Sequence, residues 1–467
     1  MEEDEVRVKK SDLLIGGQMC PPTSGRYYPL YSPADGELVA QVADASRADV
    51  DRAAAAAREA FYSEWKFYGV EQKRALFAKL KEVLHAMGDE LAAAKVQPQG
   101  GTGIPPLIER IIDYYVAKLD DGVGTLIEHN DQRTNYLCKE PLGVVAIFAP
   151  LNGPMLGTIL SAVPALVAGN TVVLKAPDQE APQAIKTMQA FHEAGFPAGV
   201  VNALSGKGPE VGQALVAHPA TRLISFTGST ATGKKIMAAA AKDLKRVQLN
   251  LGNKTAQIVF PDADLDTAAT ATVGSAFPGQ ACSAISRVLL HKSIHDEFIA
   301  LLKEKAQNAG PCLLVDKAAV ERVEYYVEMG KERGSLLFGG ARPSGDEYAK
   351  GCYFEPTAFA FADQSSPVCR DEIFGPVVSV LTFDSADEAL SLTNDTDYGL
   401  ISSVWTQDPE RQRYFIRRLE MGIVTINSAS MLSHRTPWGG FKQSGIGRRY
   451  GEMGLEPFFE YKTVWIS

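Results

Sequence analysis

A chain of 467 residues exceeds what one hydrophobic core supports, so two or three domains are expected. Apolar residues make up 45% and charged residues 22%, an ordinary globular composition with enough apolar material for a large core. The 47 basic and 56 acidic residues give a formal charge of −9, and no basic cluster stands out, which argues against nucleic acid as the main partner.

The chain opens MEEDEVRVKK, with no basic region leading into an apolar one, so no signal peptide is expected. The apolar run from Val144 onward is interrupted by Asn152 and by glycine and proline, too often to span a bilayer. Six cysteines (Cys20, Cys138, Cys282, Cys312, Cys352 and Cys369) have no paired spacing. They read as reduced thiols of a cytoplasmic α/β protein rather than a disulfide framework.

In chain order, the alanine-rich segment from Asp49 to Ala60 predicts a helix. Leucines and alanines at helical spacing predict a second from Glu71 to about Lys95. QPQGGTGIPP, residues 97–106, must be a loop. From Val144 short β-branched runs alternate with helical stretches: VVAIFAP then Thr158 to Val167, TVVLKAP then Ala181 to Ala194, VVNAL, LISFTG and VQLNL. That rhythm predicts βαβ units and a parallel sheet, which binds ligands at the carboxyl ends of its strands. A second alternation from AQIVF at Ala256 through GIVTIN predicts another α/β unit. The last run, EYKTVWI from Glu460, predicts a strand without a local partner.

Two segments could carry chemistry. In LISFTGSTATGKKI a strand ends at Phe226, a turn of small residues follows at Gly228, Ser229 and Thr230, and a helix is expected near Gly233. A helix N-terminus there would favour a pyrophosphate. The same letters nearly match a nucleotide-triphosphate loop, but Lys235 stands where the Mg²⁺-holding hydroxyl belongs, which disfavours an ATPase. Cys282, in FPGQACSAIS, follows a glycine turn; beside a helix N-terminus its thiol would be acidified and nucleophilic. A buried structural thiol is the commoner role for such a residue. The seven histidines show no metal-ligand spacing, so no metal site is expected.

The ordered set EPLGVVAIFAPLNGP, PALVAGNTVVLKAP, FTGST, GQAC, EIFGPV and TPWGGFKQSGIGR, with IGGQ at Ile15 and SPADGE at Ser32, resembles the aldehyde dehydrogenase superfamily over nearly the whole chain. The resemblance implies an α/β fold with three parts. These are a Rossmann-like NAD(P)-binding domain (1–121 and 142–252), an α/β catalytic domain (253–445) and a β oligomerisation element (122–141 and 446–467). It implies that Cys282 attacks an aldehyde, and that Asn152 and the Cys282 backbone N–H form the oxyanion hole. It places Lys175 and Asp178 at the adenosine ribose, with Asp178 repelling a 2′-phosphate so that NAD is favoured over NADP. Gly208, Phe226, Gly228, Ser229 and Leu251 would surround the cofactor, and Glu372 and Phe374 would hold the nicotinamide end. A homodimer or homotetramer is expected, with pairing of the last strand across subunits.

The sequence departs from that family where deacylation is concerned. The general-base Glu is replaced by Asn250 in NLGNK, and an amide cannot take a proton from water near neutrality. Ser161 and Arg449 stand where some members carry a Lys and a second Glu of a proton relay, and Asn253 is a further change. The segment before Cys282 is about two residues short of the pattern. Gly153 and Gly157 replace aromatics that narrow the substrate tunnel, which predicts a wider entrance. Three functions follow: NAD-dependent aldehyde oxidation with impaired hydrolysis, oxidation with CoA as the acyl acceptor, or a cofactor-binding homologue without activity.

Overall fold

The structure is a computed structural model that describes residues 9–97, 104–121, 124–429 and 432–467. The loop expected at 97–106 lies mostly outside the described residues.

Five described strands, among them β1 (Leu13–Ile15) and β2 (Gln18–Cys20), precede α1 (Arg47–Ser63), α2 (Val70–Ala86) and α3 (Pro106–Ala117). Ser46 and Asp49 cap α1 reciprocally, which starts the alanine-rich helix earlier than its periodicity alone implies. The second expected helix is broken: α2 stops at Ala86 and a short helix resumes at Gly88. Glycine is a poor helix interior residue, and the chain uses it to change direction. A hairpin follows, β3 (Gly124–His129) and β4 (Thr134–Pro141).

The βαβ rhythm then appears as β5 (Val144–Phe148), α4 (Pro154–Val167), β6 (Thr171–Lys175), α5 (Ala181–Glu193), β7 (Val201–Leu204), β8 (Thr221–Thr227), α6 (Thr230–Ala241) and β9 (Arg246–Asn250). Strands β5 to β9 are mutually parallel, and every residue of β5, β6 and β7 is buried, as a sheet covered on both faces requires. α4 begins at Pro154, a residue suited to the first helical position, and not at Thr158. α6 begins at Thr230 instead of Gly233, because Ser229 accepts from the Thr232 N–H and caps it there.

The second unit comprises β10 (Thr255–Val259), α7 (Leu265–Ala276), β11 (Ile285–His291), α8 (His295–Ala309), α9 (Lys317–Arg333), β12 (Ser335–Phe338), β13 (Thr357–Ala360), β14 (Val377–Phe383), β15 (Ile401–Trp405) and β16 (Ile423–Ile426). Its sheet runs β12-β13-β14-β11-β10-β15-β16, parallel except for β12. The chain then returns to the first sheet, where β17 (Gly445–Ile446) pairs antiparallel with β9. The order of that sheet is β17-β9-β8-β5-β6-β7-β1-β2.

The closing strand β18 (Phe459–Ile466) is not an orphan. It pairs antiparallel with β4 over its whole length, from Phe459 opposite Pro141 to Ile466 opposite Thr134. Its partner lies more than 300 residues earlier, a separation that local sequence pattern cannot reveal. The resulting three-stranded sheet, β18-β4-β3, exposes Leu126, Ile127, Trp465 and Ile466.

Candidate active site

The loop that leaves β5 carries Asn152, an exposed residue just before α4. Its Nδ2 donates to the Gln280 carbonyl at 2.8 Å, which ties the start of α4 to the turn carrying Cys282. Gln280 is fixed in turn, since its Oε1 accepts from the Val315 N–H at 2.9 Å. Asn152 is thereby tied to the chain two residues before Cys282.

Cys282 is partly buried in a turn that leads directly into β11; no helix begins there. The expected acidification by a helix N-terminus is therefore not available to it. Burial pushes the thiol up to about 11, the Glu372 carboxylate adds to that, and Arg449 opposes it.

Asn250 ends β9 and is buried, with Oδ1 making no hydrogen bond. The next residues are shaped around Glu372. A Cβ on Gly252 would stand 2.4 Å from Glu372 Oε2, so only glycine lets that carboxylate lie against the backbone. The Asn253 N–H donates to Glu372 Oε1 at 3.1 Å, while burial raises the Glu372 carboxyl above its ordinary range. The Asn253 side chain is occupied elsewhere: Nδ2 donates to Thr255 Oγ1 at 2.7 Å and Oδ1 accepts from Leu400 N–H at 3.2 Å. Lys254 is fully buried and donates to the Val368 and Asp371 carbonyls, each at 2.7 Å, anchoring the segment that presents Glu372. Burial lowers its ammonium to about 7. Phe374 has φ +56°, a conformation that bulky residues rarely adopt and that concentrates at working sites.

The first sheet carries a polar patch on an otherwise apolar face. Ser225 and Thr227 of β8 alternate with Ile224 and Phe226, which point to the opposite core, and Gln248 and Asn250 do the same on β9. Arg449 bridges this face to α4: Nη1 donates to Ser161 Oγ at 3.2 Å and Nη2 to Ser225 Oγ at 3.1 Å. Ser225 also donates to Gln248 Oε1 at 2.9 Å. The two unusual residues, Ser161 and Arg449, are thus direct partners. Tyr115 Oη, Thr158 Oγ1, Thr227 Oγ1, Asn250 Oδ1 and Arg449 Nε are all buried without a hydrogen-bond partner.

The remaining candidates line the carboxyl edge of the first sheet. Lys175 ends β6, is buried and is ion-paired with Asp178, whose carbonyl accepts from Tyr28 Oη at 3.0 Å. A Cβ at Gly208 would meet nothing within 4 Å, so open space lies beside that backbone. Ser229 is exposed at the N-terminus of α6. Phe226 and Leu251 lie beneath this edge. The Phe226 ring closes against Gly228, where a Cβ would stand 2.5 Å away, and Leu251 packs as tightly on Gly233. These two shape the floor of the edge.

The two glycines read as widening an entrance differ. Space is open at Gly153, but a Cβ on Gly157 would run into the Pro150 ring at 2.3 Å. Gly157 is required by packing of α4 on its own leading loop and does not widen anything. Tyr115, Thr158, Thr227, Gln280 and Lys254 were not singled out by sequence reasoning. Thr227 had a signal, since hydroxyls alternating through a buried strand are unusual. The others are joined only by tertiary contacts.

A sequence model of the aldehyde dehydrogenase family matches residues 20–464. Betaine aldehyde dehydrogenase of Bacillus subtilis (strain 168) is 36% identical over 97% of this chain and 96% of its own length. The crystal structure of gamma-glutamyl-gamma-aminobutyraldehyde dehydrogenase from Burkholderia cenocepacia J2315 superposes with a TM-score of 0.92 at 37% identity, covering 98% of this chain and 96% of that one. Betaine aldehyde dehydrogenase from Staphylococcus aureus, in complex with NAD+, does so with a TM-score of 0.93 at 30% identity, covering 97% and 94%.

Proposed function

The chain belongs to the aldehyde dehydrogenase family, and we propose that it oxidises an aldehyde with NAD through Cys282, with deacylation as the crippled step. The observation that carries this reading is the tie from Asn152 Nδ2 to the Gln280 carbonyl, which anchors an amide donor to the turn that carries the nucleophile. Once ionised, Cys282 Sγ attacks the carbonyl carbon, and the oxygen that becomes negative meets Asn152 Nδ2 and the Cys282 backbone N–H. Each such donor contributes about 2.7–4 kcal/mol in a preorganised site.

The carboxyl edge fits a dinucleotide: open space at Gly208, a capped helix N-terminus at Ser229, and the Lys175–Asp178 pair where a ribose would sit. Asp178 would repel a 2′-phosphate and so favours NAD over NADP. Glu372 and Phe374 would hold the nicotinamide end. When bound, NAD supplies the oxidant that takes hydride from the thiohemiacetal carbon. The product left on Cys282 is a thioester.

Hydrolysis of that thioester needs a group to take a proton from water. Asn250 can accept a hydrogen bond through its unpartnered Oδ1 and orient a water, but it cannot hold the proton. The acyl-enzyme therefore accumulates unless an external thiol such as CoA removes it. The uncovered edges and apolar side chains of β18-β4-β3 support a homodimer or homotetramer built on 122–141 and 446–467.

The test is a single turnover with excess enzyme and NAD over a panel of aldehydes, following NADH and intact mass, with and without CoA. A stoichiometric NADH burst and an acyl adduct on Cys282 are expected, both lost in Cys282→Ser by roughly 10³-fold or more. No burst with any aldehyde, despite NAD binding, would overturn the reading and leave a cofactor-binding protein.

A further inference from the structure

At the opposite end of the first sheet from the carboxyl edge, where β5 and β6 begin, lies a cavity of about 640 Å³, the size of a small-molecule pocket. Phe61, Phe67, Leu119, Leu142, Leu455 and Phe459 give it apolar walls, while its charge is one-sided: four lysines and one carboxylate line it. That carboxylate, Glu140, is ion-paired with Lys462, and two of the lysines are also taken, Lys118 by Asp121 and Lys139 by Glu456. Among the described residues no carboxylate pairs with Lys66 or Lys73. Lys73 is only 9% exposed, an expensive place for a charge without a counter-ion. Its Nζ donates to the Val167 carbonyl at 3.3 Å and lies 5.7 Å from the centre of the Trp65 ring. An ammonium has three N–H donors, so two are left beyond that one long bond. Gly169 leaves room beside them, since a Cβ there would stand 3.2 Å from Nζ. Burial lowers the ammonium to about 8. Lys66 is exposed, its Nζ 5.0 and 4.8 Å from the ring centres of Tyr62 and Phe67.

We propose that this cavity is a ligand site for a monocarboxylate with an apolar body, whose carboxylate takes the spare Lys73 donors and the Lys66 charge. A buried ammonium with unspent N–H groups calls for an anion that can both pair with it and accept hydrogen bonds. The anion carries one charge, because α4 ends here. Its last carbonyls, at Val167 and Ala168, line the cavity and present the negative end of the helix, which disfavours a dianion such as a phosphate monoester. The rest of the ligand is apolar because the walls beyond the two ammoniums are aromatic and aliphatic side chains. The site is separate from Cys282 and from the carboxyl edge, and the inference stands without either.

The experiment titrates octanoate, with 1-octanol as its neutral counterpart, into the full-length protein by calorimetry. Octanoate should bind saturably and about tenfold or more tighter than 1-octanol, the difference being the charge-assisted hydrogen bonds. Lys73→Met keeps the apolar stem and removes the charge. It should weaken octanoate by about tenfold or more and leave 1-octanol within about twofold. The place of binding is read on the parent protein: saturating octanoate should protect Lys73 and Lys66 from acetic anhydride, measured by peptide mass, while the exposed Lys350 is labelled as before. If Lys73→Met does not fold, Lys66→Gln decides, at an exposed position, and should weaken octanoate by about threefold or more. Absence of saturable octanoate binding, equal affinity for 1-octanol, or an unprotected Lys73 overturns the proposal. So does inorganic phosphate that displaces octanoate at comparable concentration, since the site would then read charge alone.

Discussion

The cofactor-edge residues around Lys175 and Glu372 and the polar patch on β8 and β9 differ in how fully their polar atoms are paired. At the edge, Lys175 has Asp178, the Asp178 carbonyl has Tyr28, and Glu372 has the Asn253 N–H. In the patch Thr227 Oγ1, Asn250 Oδ1 and Arg449 Nε are buried without a partner, and among the described residues no carboxylate lies within ion-pairing distance of Arg449. A site that binds can be satisfied before its ligand arrives. Under the proposed function, where Asn250 stands in place of a general-base carboxylate, these unpartnered groups would mark the half of the cycle that is altered.

The sharpest way to break that contrast is to restore the carboxylate. Asn250→Glu should raise steady-state turnover by about 10²–10⁴-fold, the usual contribution of a general base, while the NADH burst changes little. Quench-flow for the burst and absorbance for the steady state would check it; an unchanged steady state would mean that hydrolysis is not what limits the parent. A smaller effect, on the other half of the cycle, is expected from Asn152→Ala. Removing one oxyanion donor should slow the burst by about 10²–10³-fold without changing NAD affinity measured by fluorescence. Loss of affinity with an unchanged burst would place Asn152 in cofactor binding instead. The smallest effect belongs to the edge. Asp178→Ser removes the negative charge facing a ribose phosphate and should improve kcat/KM for NADP by about tenfold, equivalent to about 1.4 kcal/mol. A ratio of NADP to NAD that does not move would show that Asp178 does not set the preference.

Much of this was legible in the chain itself. Alternation of β-branched runs with helical stretches from Val144 gave the parallel sheet, because strands covered on both faces must be apolar throughout and their crossovers must be helical. Helix starts were less legible, since α6 is set by one hydroxyl bond from Ser229 and α4 by Pro154, not by apolar periodicity. Residue identity alone raised the question at Asn250, as a side chain's capacity to hold a proton needs no coordinates.

Only the tertiary structure could pair β18 with β4, seat Glu372 on Gly252, and turn Gly157 from a tunnel residue into a packing residue against Pro150. It alone joined Ser161 to Arg449, residues 288 positions apart. The physical reason is common to all of these. Hydrogen-bonding capacity and propensity belong to a residue, whereas burial, charge neighbours and steric room belong to the place where the folded chain puts it.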